Sequence, residues 1–225
     1  MISRKKSGFE EKYFKGKESN YFTCLEYKTG NLSYLYKEKI CQKIRNYEPR
    51  NVRVLDVGCA LGNLLALFDK DGFTTYGLDV SEFAIKEAAK RTKAKLIKAD
   101  VNKGLPFEDN IFNLITGIDV IEHLQSPYNF LLEVKRVLRK DGFLFLQTPN
   151  ISSLFVKILG NKWFGYQDKT HLYLFNRESL RFLLKQAGFE VLKDEIIFYP
   201  APSFLRPVFG NVNIGGSLWI VAKKT

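Results

Sequence analysis

The sequence predicts an α/β protein with a doubly wound, mostly parallel sheet of seven strands. Between about residues 52 and 190, short apolar segments alternate with segments whose apolar residues recur at helical spacing. That order is expected of parallel strands joined by crossover helices. A second observation is the segment 54–63, Val-Leu-Asp-Val-Gly-Cys-Ala-Leu-Gly-Asn, which is typical of a buried strand, a glycine turn and a helix start. Such a turn lies at the carboxyl edge of an open sheet, where these folds bind ligands.

The first half of the predicted sheet has three strands, with a helix after each of the first two. The strands are predicted at 52–57, 74–79 and 95–99, and the helices at about 63–72 and 82–90. Ser81 is the predicted N-cap of the second helix, because its hydroxyl can accept a hydrogen bond from an unpaired backbone amide. Glu82 in the first turn suits the positive end of the helix dipole.

The second half of the predicted sheet has four strands, at 111–118, 143–147, 191–199 and 217–223. Ser126-Pro127 predicts the start of a helix, because proline is favoured at the first helical position. The apolar stripe of this helix has a 3.6-residue period and consists of Phe130, Leu131, Val134, Val137 and Leu138. Asp141-Gly142 predicts the turn from this helix into the fifth strand.

The last helix is predicted to begin after Asn176 as its cap and to end at Gly188. The segments on either side of it, 150–168 and 200–216, are predicted walls of an acceptor pocket. The first of them contains the aromatic residues Phe155, Trp163, Phe164 and Tyr166. These rings would either clamp an acceptor or form the packing face of a short helix.

Composition predicts one well-buried domain. The chain has 225 residues, of which 45% are hydrophobic and 26% charged, and we expect residues 51–225 to form the domain and residues 1–50 a helical cap of it. No apolar run approaches the roughly 20 residues of a membrane span. Three cysteines without a C-x-x-C pair predict a reducing, cytoplasmic location. The net charge of +11 is spread along the chain, which favours a solvated surface over an RNA-binding face.

The glycine spacing distinguishes between adenosine-containing cofactors. A dinucleotide site requires G-x-G-x-x-G, but Gly58, Ala60 and Asn63 occupy those three positions. Asp56, two residues before the first glycine, would repel a pyrophosphate and could help to hold a cationic amino-acid tail. Asp79 ends the next strand, roughly 20 residues on, where a ribose-binding carboxylate is expected. The pattern therefore favours S-adenosylmethionine over NAD.

Five sequence motifs that follow one another along the chain support the choice of S-adenosylmethionine. They lie at 54–62, 77–81, 99–101, 119–124 and 137–149. From about residue 53 to 223 the chain resembles the class I S-adenosylmethionine-dependent methyltransferases, and the segment from His171 to Phe189 resembles the branch with the ubiquinone-biosynthesis O-methyltransferases. The resemblance implies a Rossmann-like sheet with an antiparallel last strand, S-adenosylmethionine as cofactor and S-adenosylhomocysteine as product.

The matching motif positions imply a set of cofactor-binding residues. They are Asp56, Gly58, Ala60, Gly62, Asp79, Val80, Asp100, Val101, Ile118 and Asp119. The glycine turn would line the methionine end, and Asp79 would accept hydrogen bonds from both ribose hydroxyls. Val80 would pack on the adenine ring, and Asp100 would accept from its amino group.

The two histidines of the chain both fall in these motifs. Asp119, Glu122 and His123 have the spacing of one helical face, and His171 precedes the last helix. A similar set binds a divalent metal in the small-RNA 2′-O-methyltransferases, so these four residues are candidate metal ligands. The alternative is that Glu122 and His123 organise a loop. His171 is also the candidate general base, or else a hydrogen-bonded loop histidine.

These observations predict a methyltransferase that acts on an oxygen of a small-molecule acceptor. Three alternatives remain open at this point. The acceptor could be RNA with the same cofactor, the enzyme could be an NAD-dependent oxidoreductase, or the chain could be a cofactor-binding module without catalysis. The motifs identify neither the acceptor nor the oligomeric state.

Overall fold

The computed structural model describes residue 9 and residues 11–15, 51–197 and 216–225. The helix predicted at about 32–47 and most of the loop predicted at 200–216 lie outside the described residues. The prediction of a cap at 1–50 and a domain at 51–225 therefore stays a prediction. Among the described residues, no helix combines the length and the apolar character that a membrane crossing requires.

Between residues 53 and 149 the strands and helices follow the predicted order, and beyond residue 149 three helices precede the last two strands. The helices are α1 (Glu11–Lys15), α2 (Asn63–Lys70), α3 (Glu82–Ala88), α4 (Pro127–Val137), α5 (Leu154–Leu159), α6 (Phe164–Gln167) and α7 (Arg177–Gln186). The strands are β1 (Arg53–Val57), β2 (Thr74–Asp79), β3 (Lys95–Lys98), β4 (Phe112–Ile118), β5 (Leu138–Pro149), β6 (Phe189–Ile197) and β7 (Ser217–Lys224). Short 3₁₀ turns occur at Val101–Lys103, Ile121–His123 and Gly160–Lys162.

The seven described strands belong to one sheet, which confirms the predicted fold class. The chain divides into two compact units, Met1–Val101 and Asn102–Thr225. In the first unit the strand order is β3-β2-β1, and both pairs are parallel. In the second unit the order is β4-β5-β7-β6, where β5 runs parallel to β4 and β7 runs antiparallel to both of its neighbours. The antiparallel last strand is thus confirmed.

The first unit buries the apolar faces of its helices against the sheet. In α2 the inward residues Leu64, Leu65 and Phe68 are buried, as the helical spacing requires. Ser81 caps α3 as predicted, since its side chain accepts a hydrogen bond from the amide of Ala84. Gly77 in β2 lies where a Cβ would come within 2.9 Å of side chains from three other segments, so only glycine fits this close packing.

The two helix caps predicted in the second unit are both present. The side chain of Ser126 accepts from the amide of Asn129 at the start of α4, and Asn176 forms a capping box with Ser179 at the start of α7. Gly188 has a φ of 80° and follows α7, as predicted for a helix end.

The predicted start of the fifth strand is wrong. The fifth strand was expected at 143–147, after a turn at Asp141-Gly142, but β5 begins at Leu138. Leu138 of β5 pairs with Phe112 of β4, and the next pair is Leu114 with Phe143, so the register shifts between the two pairs. The strand therefore begins before the irregular segment that separates these pairs. Asp141 has a φ of 63°, which is the bend that the sequence predicted, now found within the strand.

Candidate functional site

The turn after β1 is held in an unusual backbone conformation. Gly58 and Gly62 have φ values of 69° and 76°, in the left-handed region that glycine adopts without strain. The amides of Gly58 and Cys59 both donate to the carbonyl of Leu78, at 2.7 and 3.0 Å. The turn is therefore tied directly to the end of β2.

Ala60 also lies in the left-handed region, with a φ of 47°. A non-glycine residue there carries strain that the surroundings must compensate, and such residues concentrate at functional sites. Ala60 is buried in an apolar cluster with Phe14 and Ala84. This burial explains why an alanine stands where a glycine would be less strained.

Asp79 fastens the turn through its side chain. One carboxylate oxygen, Oδ2, accepts from the amide of Ala60 at 2.9 Å, and Oδ1 accepts from the amide of Ser81 at 2.8 Å. The residue is only 7% exposed, and its burial raises the pKa of Asp79 although the backbone hydrogen bonds oppose that shift. Each oxygen keeps a second lone pair, so the predicted ribose contacts remain compatible with this arrangement. The role in holding the turn was not foreseen from the sequence.

The remaining predicted cofactor residues of the first unit lie at strand ends. Asp56 is buried near the end of β1, Val80 is half-buried just after β2, and Asp100 and Val101 are half-buried just after β3. The thiol of Cys59 is buried, and its pKa is raised by that burial and by the charges of Asp56 and Asp79. Cys59 is thus an unreactive packing residue in this turn.

In the second unit, the end of β4 carries the other two predicted cofactor residues. Ile118 is buried as the last residue of β4. Asp119 follows it, is exposed, and has a φ of 51°. Its Oδ1 accepts from Nε2 of Gln147 at 2.7 Å, which holds the side chain beside β5. Aspartate tolerates the left-handed region better than most residues. The conformation is still strained, and strained residues concentrate at functional sites.

Three of the four predicted metal ligands come together in the second unit. Glu122, His123 and His171 offer ligand atoms that lie within 4.8 Å of one another, and the two histidine rings have centroids 4.7 Å apart. Asp119 is not part of this group. Three of the four residues thus lie together, Asp119 is instead held by Gln147, and their role as metal ligands stays a prediction.

Glu122 is the buried carboxyl group of this cluster, at 1% exposure. Its Oε2 accepts from Oγ1 of Thr148 at 3.0 Å, whereas no donor among the described residues reaches Oε1. Burial and the charge of Asp119 raise the pKa of Glu122 well above its ordinary value. A buried carboxyl in this situation is either protonated or balanced by a cation.

The backbone of Glu122 has a structural role as well. Its carbonyl accepts from the amides of Leu172 and Tyr173, at 2.8 and 3.1 Å. These bonds hold the chain next to His171 against the 3₁₀ turn that contains His123. The predicted loop-organising role of Glu122 is thus observed in its backbone, and it coexists with the side-chain cluster.

Each histidine ring is held through its Nδ1 atom. Nδ1 of His171 lies 2.8 Å from the carbonyl oxygen of Gly165, and Nδ1 of His123 lies 2.9 Å from Oγ1 of Thr170. Burial first, and the neighbouring His171 second, lower the pKa of His123 to about 4. A neutral imidazole held in this way suits a divalent metal ion, so the donor set of this cluster fits such an ion.

The insertion between β5 and α7 contributes mainly packing. Trp163 is fully buried, and a Cβ on Gly165 would come within 2.1 Å of its ring. Of the two predicted roles for these aromatic residues, Trp163 therefore has the packing role and does not face an acceptor. Tyr166, in contrast, is 43% exposed. Asp168 and Thr170 in the same region contact the histidines, and no motif in the sequence had marked them.

Comparison with known proteins gives the family of the chain. A family model described as a methyltransferase domain matches residues 30–194. A ubiquinone biosynthesis O-methyltransferase of Pelagibacter ubique is 29% identical over 121 residues, which cover 51% of this chain and 50% of that protein. A malonyl-[acyl-carrier protein] O-methyltransferase of Geobacter sulfurreducens is 27% identical over 173 residues, which cover 69% of this chain and 64% of that protein. A crystal structure of an S-adenosylmethionine-dependent methyltransferase from Archaeoglobus fulgidus matches with a TM-score of 0.62 and 25% identity, covering 85% of this chain and 94% of that one.

The sheet topology and the glycine turn define the fold as that of the class I S-adenosylmethionine-dependent methyltransferases. Because the family model covers more than half of the sequence, the chain belongs to the methyltransferase domain family. Ubiquinone biosynthesis O-methyltransferases recur among its relatives, at 25–29% identity, in agreement with the predicted branch. The chain spans about half the length of the Pelagibacter relative.

Proposed function

We propose that the protein transfers a methyl group from S-adenosylmethionine to an oxygen atom of a small-molecule acceptor. The observation that carries this proposal is the left-handed turn at 58–62, fastened by the buried carboxylate of Asp79 in a chain of the methyltransferase family. S-adenosylmethionine supplies an electrophilic methyl carbon, and its sulfur leaves as the neutral thioether S-adenosylhomocysteine.

The residues of the first unit fit the cofactor by their chemistry. The turn exposes backbone without side chains at Gly58 and Gly62, so a ligand can approach the chain closely. Asp79 offers carboxylate lone pairs to ribose hydroxyls, while its amide contacts keep the turn in place before the ligand arrives. Such preorganisation lowers the entropy cost of binding.

His171 is the proposed general base. Since the carbonyl of Gly165 can only accept, Nδ1 of His171 carries the ring proton and Nε2 is the acceptor nitrogen. Nε2 lies 3.9 Å from Oδ2 of Asp168, whose negative charge would stabilise the imidazolium that forms when a hydroxyl proton is taken. Methyl transfer otherwise requires chiefly alignment and exclusion of water.

The cluster of Glu122, His123 and His171 favours a second proposal, that it holds a divalent cation. One buried carboxylate oxygen without a donor and two oriented imidazoles match the oxygen and nitrogen ligands of such ions. A bound cation would supply Lewis acidity toward an acceptor oxygen. In that case His171 would act as a ligand, and the acceptor hydroxyl would lose its proton more readily.

The names of the relatives support oxygen as the accepting atom but differ in the acceptor. One relative is named for ubiquinone biosynthesis and another for a malonyl group on acyl-carrier protein. Both are O-methyltransferases, so we propose O-methylation and leave the acceptor to experiment.

The test combines binding and transfer measurements. Calorimetry should show that S-adenosylmethionine and S-adenosylhomocysteine bind whereas NAD does not. Labelled methyl transfer should then be measured with phenols, carboxylic acids and RNA as acceptors, with and without chelator. Binding of NAD alone would support an oxidoreductase, transfer only to RNA would change the acceptor class, and binding without any transfer would indicate a module without catalysis.

A further inference from the structure

We propose that helix α1 near the start of the chain belongs to the cofactor site, and that its Phe14 is a positioning residue that holds the glycine turn in the conformation that binds S-adenosylmethionine. The inference rests on the proposed function for the identity of the ligand. It deepens that function by adding to the site a segment that lies outside the five sequence motifs.

Phe14 is buried although it lies on a short helix. Its side chain is 5% exposed and forms one apolar cluster with Ala60 and Ala84. The centroid of its ring lies 5.9 Å from that of Phe83 in α3. A helix of five residues is too short to be stable by itself in water, so packing against the first unit determines where α1 lies.

Two further aromatic rings extend this packing within the same segment. Tyr13 packs against the cluster, and its ring meets that of Phe14 at 80° with the centroids 5.4 Å apart. The ring of Phe9 meets that of Tyr13 at 72° with the centroids 4.9 Å apart. Such edge-to-face contacts are favourable because the positive edge of one ring faces the negative face of the other. Phe14 is therefore held both by its own segment and by Phe83.

The two alanines of the cluster are both attached to the hydrogen bonds of Asp79. The amide of Ala60 donates to Oδ2 of Asp79 at 2.9 Å. The amide of Ser81 donates to Oδ1 at 2.8 Å, and the amide of Ala84 donates to the hydroxyl of Ser81 at 3.2 Å. Phe14 thus clusters with the same two residues that this network connects.

This arrangement gives Phe14 two effects on the turn. Ala60 has a φ of 47°, a strained conformation that persists only where the surroundings fix it, and the cluster supplies part of that constraint. The cluster also keeps the hydrogen bonds of Ala60 and Ala84 in apolar surroundings, where such bonds are stronger. Loss of the Phe14 ring therefore loosens the turn and its attachment to Asp79 together.

Coupling between two sites is reciprocal. If the packing of α1 favours ligand binding at the turn, a bound ligand must stabilise the packing of α1 by the same factor. S-adenosylhomocysteine should therefore suppress local opening of α1 and slow the hydrogen exchange of its amides. A helix that only adds to overall stability would not respond to the ligand in this way.

The first test is the affinity of the full chain for S-adenosylhomocysteine, measured by calorimetry. Phe14→Ala should weaken binding by roughly 5–150-fold, the usual range for coupling between two sites, and Phe14→Leu should retain most of the affinity. Phe73→Ala is the matched control, because Phe73 is a half-buried residue of the same unit whose ring packs on Phe68, outside the cluster. The control should lower stability in urea and bind S-adenosylhomocysteine as the wild type does.

A double-mutant cycle with Ala60→Gly tests whether Phe14 acts through the turn. Glycine removes both the methyl group and the strain, so Phe14→Ala should cost less affinity in the Ala60→Gly background than in the wild type. Wild-type affinity of a folded Phe14→Ala protein, or an equal loss of affinity in the two backgrounds, would overturn the proposal.

Hydrogen–deuterium exchange of the wild type needs no variant, so it decides the question even if Phe14→Ala does not fold. Saturating S-adenosylhomocysteine should slow exchange in the peptide that contains α1, and unchanged exchange there would overturn the proposal. If the wild type binds no S-adenosylhomocysteine, the proposed function fails at its cofactor and this inference fails with it. If the wild type binds normally and α1 does not respond, only this inference fails.

Discussion

The carboxylate of Asp79 accepts a hydrogen bond from the amide of Ala60 at 2.9 Å, across 19 residues of sequence. This bond joins the end of β2 to the left-handed turn after β1. It gives Asp79 a role before any ligand is bound, in addition to the proposed ribose contacts.

Asp79→Asn should therefore weaken binding of S-adenosylhomocysteine by about 1.5–3 kcal/mol, the range for hydrogen bonds to a charged group. The amide nitrogen of asparagine cannot accept, so one of the two backbone amides loses its partner. Isothermal titration calorimetry measures the change. Asp141→Asn, which removes an exposed ion pair with Lys223, is the control and should bind as the wild type. Equal affinities for both variants would contradict the role of Asp79.

Gly62→Ala should destabilise the protein by more than its backbone strain alone. Gly62 has φ 76° and ψ 15°, so alanine costs about 1–2 kcal/mol of left-handed strain. The new Cβ would also lie 3.0 Å from that of Ala88, and this crowding adds about 1–3 kcal/mol. A double-mutant cycle with Ala88→Gly, measured by urea unfolding, isolates the crowding. An equal loss from Gly62→Ala in both backgrounds would show that the contact with Ala88 relaxes freely.

The Glu122→Gln variant should gain stability relative to the wild type as the pH rises. The raised pKa of Glu122 means that the folded state keeps a proton that the unfolded chain loses above about pH 4.3. Stability contributed by the protonated carboxyl is complete below that pH and is lost progressively above it. Glutamine stays neutral, so the free energy of unfolding of the variant relative to the wild type should increase from pH 5 to pH 8.

The measurement is urea unfolding of metal-free protein with chelator present. Wild type and Glu122→Gln are measured side by side at each pH. A difference that stays constant from pH 5 to pH 8 would mean that Glu122 is ionised in the folded state.

His171→Ala should lower kcat by roughly 10²–10⁴-fold if His171 is the general base, with little change in the affinity for S-adenosylhomocysteine. His123→Ala distinguishes the two proposals for this cluster. In the metal case both variants lose activity and the wild type loses it with chelator. In the simple base case activity resists the chelator, and His123→Ala retains more activity than His171→Ala. Full activity of His171→Ala would exclude both roles for this residue.

Much of the fold follows from local sequence. The caps Ser81, Ser126 and Asn176 were predicted correctly because a cap depends on residues within one helical turn. Strand β2 has its predicted bounds at Thr74–Asp79, since a buried strand between turn residues is also a local pattern. The start of β5 was not predicted, because it depends on pairing with Phe112 in another strand.

What the sequence by itself determined about the site is the kind of chemistry at each strand end. The glycine turn, the carboxylate of Asp79 and the two histidines could be identified because their residue types and spacing are visible in the chain. Only the tertiary structure decided which atoms meet. The hydroxyl of Thr170 reaches His123 across 47 residues of sequence, and Trp163 packs inside rather than facing an acceptor. Side-chain partners of this kind depend on long-range packing, which leaves no periodic or local signal in the sequence.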